Sequence, residues 1–274
     1  MHMEKSIGRV LPPPEEFSII KEQFIYKIIL KRWLVAVNSI SEQYKKIRET
    51  SPPSVVTQEL KTFGIRFTHN TNRIEGSTLN LKNVVAILEQ GVTPSDKLVE
   101  DVIETRSHMA IYEDILHESG DLTQDLILRW HLSLFQLTKP DIAGQIRQHA
   151  VRIAGSQYTP PASEFEIKNA LADLFEWYEK NKAEVHPAIV AGIIHFRLAS
   201  IHPFYDGNGR ISRVAMNFIL NHNHLPMFDI DYRTRMGYYR ALERSNLHDD
   251  DPLYFLQWFF THYIKSNRQY LQGE

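Results

Sequence analysis

Apolar residues recur at three- and four-residue steps along nearly the whole chain, the spacing that lines one face of an α-helix. The pattern predicts a helix over 15–49, stopped by Pro52-Pro53, and a second that opens behind Ser54 as N-cap and ends at Glu75-Gly76. NLKNVVAILEQG closes on Gly91 in the same way, and further helices are expected at about 95–118, 123–137 and 164–181. The last of these opens on Ser163-x-x-Glu166, a capping box in which each side chain satisfies a free N–H of the other's turn. AIVAGIIHFRLAS follows His186-Pro187, and beyond it Ile211, Val214, Ala215, Phe218 and Ile219 mark one buried helical face. RTRMGYYRALERSN and PLYFLQWFFTHYIKSNRQYL complete an all-α reading. Only AVRIAGSQYTPP, residues 150–161, favours strand, alternating briefly around a glycine before two prolines.

Composition narrows the function classes. With 274 residues, 43% of them hydrophobic, the chain can bury a substantial core. Thirty-one Lys and Arg against 33 Asp and Glu leave no cationic footprint for nucleic acid or an anionic membrane, so neither is expected as a partner. Zero cysteines exclude disulfides, thiolate nucleophiles and Cys-ligated zinc. The opening MHMEKSIGRVLPPPEEF lacks the apolar run of a leader, and Lys21, Glu22, Lys27, Lys31 and Arg32 break the apolar segment behind it, so a cytoplasmic setting is expected.

The chemistry concentrates in HPFYDGNGRISR, His202 to Arg213, between two apolar helices. A helix starting near Gly209 has free N–H groups in its first turn, and Gly207 and Gly209 let the backbone wrap an anion. Arg210 and Arg213 share a face there, two guanidinium forks suited to a chain of phosphates. Asp206 is a hard oxygen ligand for a magnesium ion that phosphates would otherwise coordinate. His202 is the group able to take a proton near neutral pH. Each alone has an ordinary structural use, since Gly-Asn-Gly makes turns and a His before Pro is commonly packing. Together they fit in-line attack of a hydroxyl on a phosphate. His131 and His195 read as core histidines, and His222-Asn223-His224 as a helix cap and loop.

The same twelve residues match, without departure, the signature HPFx[D/E]GNGRxxR, and the chain resembles the Fic family over most of 110–265. The resemblance implies a helical Fic fold with a β-hairpin flap near 150–161, and transfer of AMP from ATP to a Ser, Thr or Tyr hydroxyl of a protein. It implies His202 as base, Phe204 as loop anchor, and Asp206 as magnesium ligand. Gly207, Asn208 and Gly209 would form the anion hole, Arg210 and Arg213 would hold phosphates, and Tyr239 and Asn246 would line an adenine pocket. Gly144-x-x-Arg147 is similar to the segment leading into the flap, which in the family holds the target by strand addition. Related Doc kinases carry Lys where Gly209 stands, so the AMP-transfer branch is the better match.

Residues 71–76, TNRIEG, fit the family's inhibitory pattern [S/T]xxxE[G/N]. Thr71 and Glu75 fall on one helix face. The resemblance implies that Glu75 pairs with Arg213 and blocks a productive ATP pose, and in some relatives this glutamate also serves removal of AMP. The division expected is 1–110 as a helical region carrying the inhibitory motif, 111–265 as the core and 266–274 as a tail. Residues 1–65 are open to two uses, packing the inhibitory helix or building a homodimer contact. Two other functions remain open: a non-catalytic ATP-binding module, and transfer of UMP or phosphocholine.

Overall fold

The computed structural model describes residues 11–271, and the expectations for the leader segment and the tail extend into residues 1–10 and 272–274, outside that range. Eleven α-helices occur among the described residues, in the order α1 (Pro14–Ile29), α2 (Val35–Thr50), α3 (Pro53–Ile74), α4 (Leu81–Glu89), α5 (Val99–His117), α6 (Gln124–Phe135), α7 (Glu164–Asn181), α8 (Pro187–Ile201), α9 (Asn208–His222), α10 (Arg235–Asn246) and α11 (Leu253–Ser266). None of them is long and apolar enough to cross a membrane.

Local chemistry sets most boundaries. Ser163 and Glu166 form the expected capping box on α7. Gly76, at φ +102°, turns the chain out of α3 as a residue without a Cβ can. Two starts and stops differ from the sequence pattern. The run expected as one helix over 15–49 is interrupted by a π-helical turn at Leu30–Leu34. At the next helix Ser54 is not the N-cap: Pro53 takes the first helical position, where its fixed φ suits the helix and its missing N–H needs no partner.

The core is organised around α8 and α9. The α8 helix is apolar on every side, with Ile189, Val190, Ile194, Phe196 and Leu198 all buried. The α9 helix was expected to bury one face, yet every residue from Arg210 to Leu220 is buried. Neighbours surround it: α8, α6, α5 and α3 all pack against it. Its polar residues survive burial by finding partners, Ser212 on the Asn208 carbonyl (2.7 Å) and Asn217 on both the N–H and the C=O of Phe228 (2.7 and 3.0 Å). Trp33 stacks on Phe260 at 5.6 Å between ring centres and so anchors the N-terminal helices to α11.

No strand forms among the described residues, and the flap expected near 150–161 is a loop with a turn. The turn is built as the glycine predicted, with Gly155 at φ +77° and Ser156 N–H bonded to the Ile153 carbonyl at 3.1 Å. A ladder does not follow, because side chains take the backbone groups that cross-strand partners would need. Arg147 binds the carbonyls of His149 and Pro161, Glu243 accepts from the Gln157 N–H, and Pro160 and Pro161 have no N–H to give.

Candidate active site

The segment between α8 and α9 carries the site. His202 ends α8 in the left-handed region, at φ 52° and ψ 56°, a strained conformation for a residue with a Cβ. Arg147, wholly buried, holds it there: Nε donates to the His202 carbonyl (2.7 Å), Nη1 to His149 (2.8 Å) and Nη2 to Pro161 (2.6 Å). The Arg147 N–H adds a bond to the Pro203 carbonyl at 2.9 Å. His202 Nδ1 lies 3.3 Å from the Ala199 carbonyl, which can only accept, so Nδ1 carries the hydrogen and Nε2 keeps a lone pair. Burial pushes the His202 imidazole below its usual pKa, so it is neutral and ready to take a proton at neutral pH.

Below the base, the loop folds onto α6. Phe204 is buried and stacks face to face on His131 at 3.8 Å. His131 accepts from the Gly144 N–H at Nδ1 (2.9 Å), which puts its hydrogen on Nε2, and that atom donates to the Asp206 carbonyl (3.1 Å). The Asn208 side chain turns back into the loop, exchanging bonds with both backbone groups of Phe204 at 2.8 and 2.9 Å. It therefore fixes the loop, and any contact with an anion falls to its backbone N–H.

That N–H belongs to the first turn of α9. Gly207 is the N-cap of α9 at φ +77°, with no side-chain cap, and its carbonyl accepts from Ile211 at 2.9 Å. The N–H groups of Asn208, Gly209 and Arg210 precede that first intrahelical bond and so have no partner within the helix. A Cβ at Gly207 would stand 2.6 Å from Phe135 Cε2, so glycine is needed for packing as well as for φ.

Both arginines are buried, at 4% and 1% exposure, and each meets a carboxylate from a helix earlier in the chain. Arg213 gives Nε to Thr71 Oγ1 and Nη2 to Glu75 Oε1, both at 2.6 Å. Arg210 pairs through Nη1 with Glu104 of α5 and lies over the Phe135 ring. Asp206 is partly open; Oδ1 accepts its neighbour Gly207 N–H at 2.6 Å, and Oδ2 holds the Lys139 ammonium at 2.6 Å. Burial tends to raise the Asp206 carboxyl, but Arg210 and Lys139 outweigh it and hold it below the usual range.

Tyr239 and Asn246 sit at the rim on α10. Tyr239 Oη donates to the Ile74 carbonyl at 3.0 Å, capping the end of the helix that carries Glu75. Asn246 Oδ1 accepts from Ser200 on α8 at 2.6 Å. The two histidines expected in the core are structural: His131 as described, and His195 against Tyr238 and Phe255. His222-Asn223-His224 is the end of α9 with its cap and the following turn. Sequence reasoning missed Glu104 and Lys139, whose contacts lie 106 and 67 residues away. It also missed the loop-holding roles of Arg147 and His131, although Gly144-x-x-Arg147 marked the place.

A helix N-terminus with N–H groups free of intrahelical partners, a neutral imidazole on one side and two buried guanidiniums on the other meet on an all-helical scaffold, a donor set with the chemistry to hold a phosphate. Residues 121–220 match the Fic/DOC family, and the chain carries a domain of that family. Glu75, Tyr239 and Asn246 fall outside the matched segment. The chain is 31% identical over 211 residues to the protein adenylyltransferase fic-1 of Caenorhabditis briggsae, covering 75% of this chain and 41% of that one. It spans less than half the length of the curated relatives it matches. Among solved structures it resembles a Fic domain containing signaling protein from Bacteroides thetaiotaomicron, with a TM-score of 0.75 at 24% identity, covering 86% and 96% of the two chains. Fic-1 (residues 134–508) from Caenorhabditis elegans matches with a TM-score of 0.74, also at 24% identity, over 96% of this chain and 78% of that one.

Proposed function

We propose that the chain is an autoinhibited protein adenylyltransferase, moving AMP from ATP to a Ser, Thr or Tyr hydroxyl of a protein. The observation that carries this reading is the first turn of α9, which has no side-chain cap, beside a neutral His202. The triphosphate lies along the N–H groups of Asn208, Gly209 and Arg210, with Arg210 and Arg213 on its oxygens. His202 Nε2 takes the proton of the target hydroxyl as its oxygen bonds to the α-phosphorus. The bond from the α-phosphorus to its bridging oxygen breaks, and pyrophosphate leaves with the electron pair.

Magnesium fits the donor set in one respect: Asp206 is a single, half-open carboxylate, enough for an ion whose other ligands are phosphates and water. Bound there, the ion would neutralise phosphate charge. Tyr239 and Asn246 would face the adenine, and the loop at 150–161 would receive an extended stretch of target. On this reading 1–110 form a helical region that delivers Glu75, 111–265 the core, and 266–274 a tail.

Glu75 is the brake. Its carboxylate takes the Arg213 Nη2 that a terminal phosphate would use, and a Cβ at Gly209 would overlap its Oε1, so it stands directly over the anion cradle. Charge and space both oppose the phosphates until Glu75 leaves.

The test is calorimetry with magnesium and a non-hydrolysable ATP analogue, followed by mass spectrometry of Glu75→Gly chain incubated with ATP. Binding plus an adduct of AMP mass is expected. Absence of heat in both wild type and Glu75→Gly would sink the reading. Binding without adduct would favour a non-catalytic nucleotide module, and an adduct from another nucleotide or phosphocholine would reassign the group transferred.

A further inference from the structure

A carboxylate that is to hold a metal already holds a cation. Asp206 Oδ1 accepts the Gly207 N–H at 2.6 Å and lies 3.5 Å from Arg210 Nη2, and Oδ2, the more open oxygen toward a mobile cation, carries the Lys139 ammonium at 2.6 Å. The same ammonium lies 3.3 Å from Glu104 Oε1 and 4.8 Å from the centre of the Phe135 ring. Its two carboxylate partners differ in freedom. Glu104 is nearly buried and pinned, with Oε2 on Arg210 and Oε1 on Thr138 Oγ1 at 3.2 Å, while Lys139 and Asp206 are each more than a third exposed. The lysine backbone is fixed just after α6 by its bond to the Phe135 carbonyl at 2.8 Å, so only the four-carbon stem moves.

We propose that Lys139 is a stand-in cation on Asp206, displaced onto Glu104 when a divalent metal arrives with the nucleotide, so that this pair sets how much metal the site needs. The proposal rests on the adenylyltransferase reading and adds a requirement to it. Metal and ammonium compete for one oxygen, and the side chain that loses has a second carboxylate within reach. Glu104 thereby acts as a positioning residue twice, orienting Arg210 and receiving Lys139. An ammonium on a flexible stem suits this exchange, because it is a point charge that needs no fixed fork geometry.

The experiment uses the full chain carrying Glu75→Gly, with and without Lys139→Met or Glu104→Gln. Calorimetry with a non-hydrolysable ATP analogue follows affinity across a magnesium series and in EDTA, and electron paramagnetic resonance with manganese and the same analogue measures bound metal without turnover. Lys139→Met is expected to lower the metal concentration at half effect by about threefold and to weaken metal-free binding. Glu104→Gln, which removes the second seat, is expected to raise that concentration. Lys139 is exposed enough that its loss leaves the fold intact, and thermal melting checks this. An unmoved metal midpoint in Lys139→Met, or shifts of the same sign in both variants, overturns the proposal. If the Glu75→Gly chain alone binds no nucleotide at any magnesium level, the adenylyltransferase reading falls and takes the proposal with it.

Discussion

Glu75 Oε1 lies 2.6 Å from Arg213 Nη2, across 138 residues of chain, and Thr71 holds the same guanidinium from one turn earlier on α3. The inner arginine of the cradle thus has Nε and Nη2 engaged from α3, while its buried Nη1 is left without a hydrogen-bond partner. Glu75→Gly removes the carboxylate and leaves Thr71 in place. Label incorporation from radioactive ATP is expected to rise about tenfold or more, the scale of one charge-assisted pair. Equal incorporation by wild type and variant would remove the brake.

His202 is held neutral by burial, which sets the sign of the pH dependence. The base works when unprotonated, and its folded pKa lies below the usual 6.5 or so, so the acid limb of the transfer rate in Glu75→Gly should have its midpoint below pH 6.5. His202→Ala should abolish transfer while nucleotide affinity, read by calorimetry, changes little. A midpoint above pH 7 would assign the base elsewhere.

Arg147 serves four carbonyls from a fully buried position. Arg147→Ala strands those acceptors and frees the strained backbone of His202. The expected loss is about 3 kcal/mol or more in denaturant unfolding. Arg147→Lys should restore little, because one ammonium cannot reproduce the fork.

Gly207→Ala should cost about 2 kcal/mol, from the left-handed φ of +77° and the Cβ overlap with Phe135. Pairing it with Phe135→Leu relieves the overlap alone. The double variant should therefore recover part of the loss, as read by thermal melting.

Three buried histidines give the fold an acid sensitivity. Burial pulls His108 and His195 down to about 3 and His131 to about 4, while the unfolded chain binds the same protons near 6.5. The unfolded state therefore holds more protons in that window, so stability is full above pH 6.5 and is lost as pH falls toward 4. Each histidine contributes a slope of up to about 1.4 kcal/mol per pH unit. Replacing His131 with Gln should flatten the fall in urea midpoint between pH 6 and pH 5.

Particular elements show how far the chain could be read directly. The capping box at Ser163 and Glu166, the stop at Gly76 and the turn at Gly155 follow from sterics within a few residues, and all three appear as expected. Strand formation at 150–161 depended on what neighbours offered the backbone, and Arg147 and Glu243 offered side chains instead. The face of α9 was likewise misjudged. Periodicity marks the apolar side of a helix but does not show that Asn217 and Ser212 will find partners on the other.

The sequence by itself determined most of the helices, several of their ends, and the cluster of base, glycines, carboxylate and guanidiniums within one loop and one helical turn. Those features need only bond geometry and hydrogen bonding between near neighbours. Tertiary structure alone decided what each charge meets: Glu75 on Arg213, Glu104 on Arg210, Lys139 between Asp206 and Glu104. Such pairs are set by which helices pack around α9, and the buried guanidiniums of Arg210 and Arg213 take the carboxylates that this packing brings within reach.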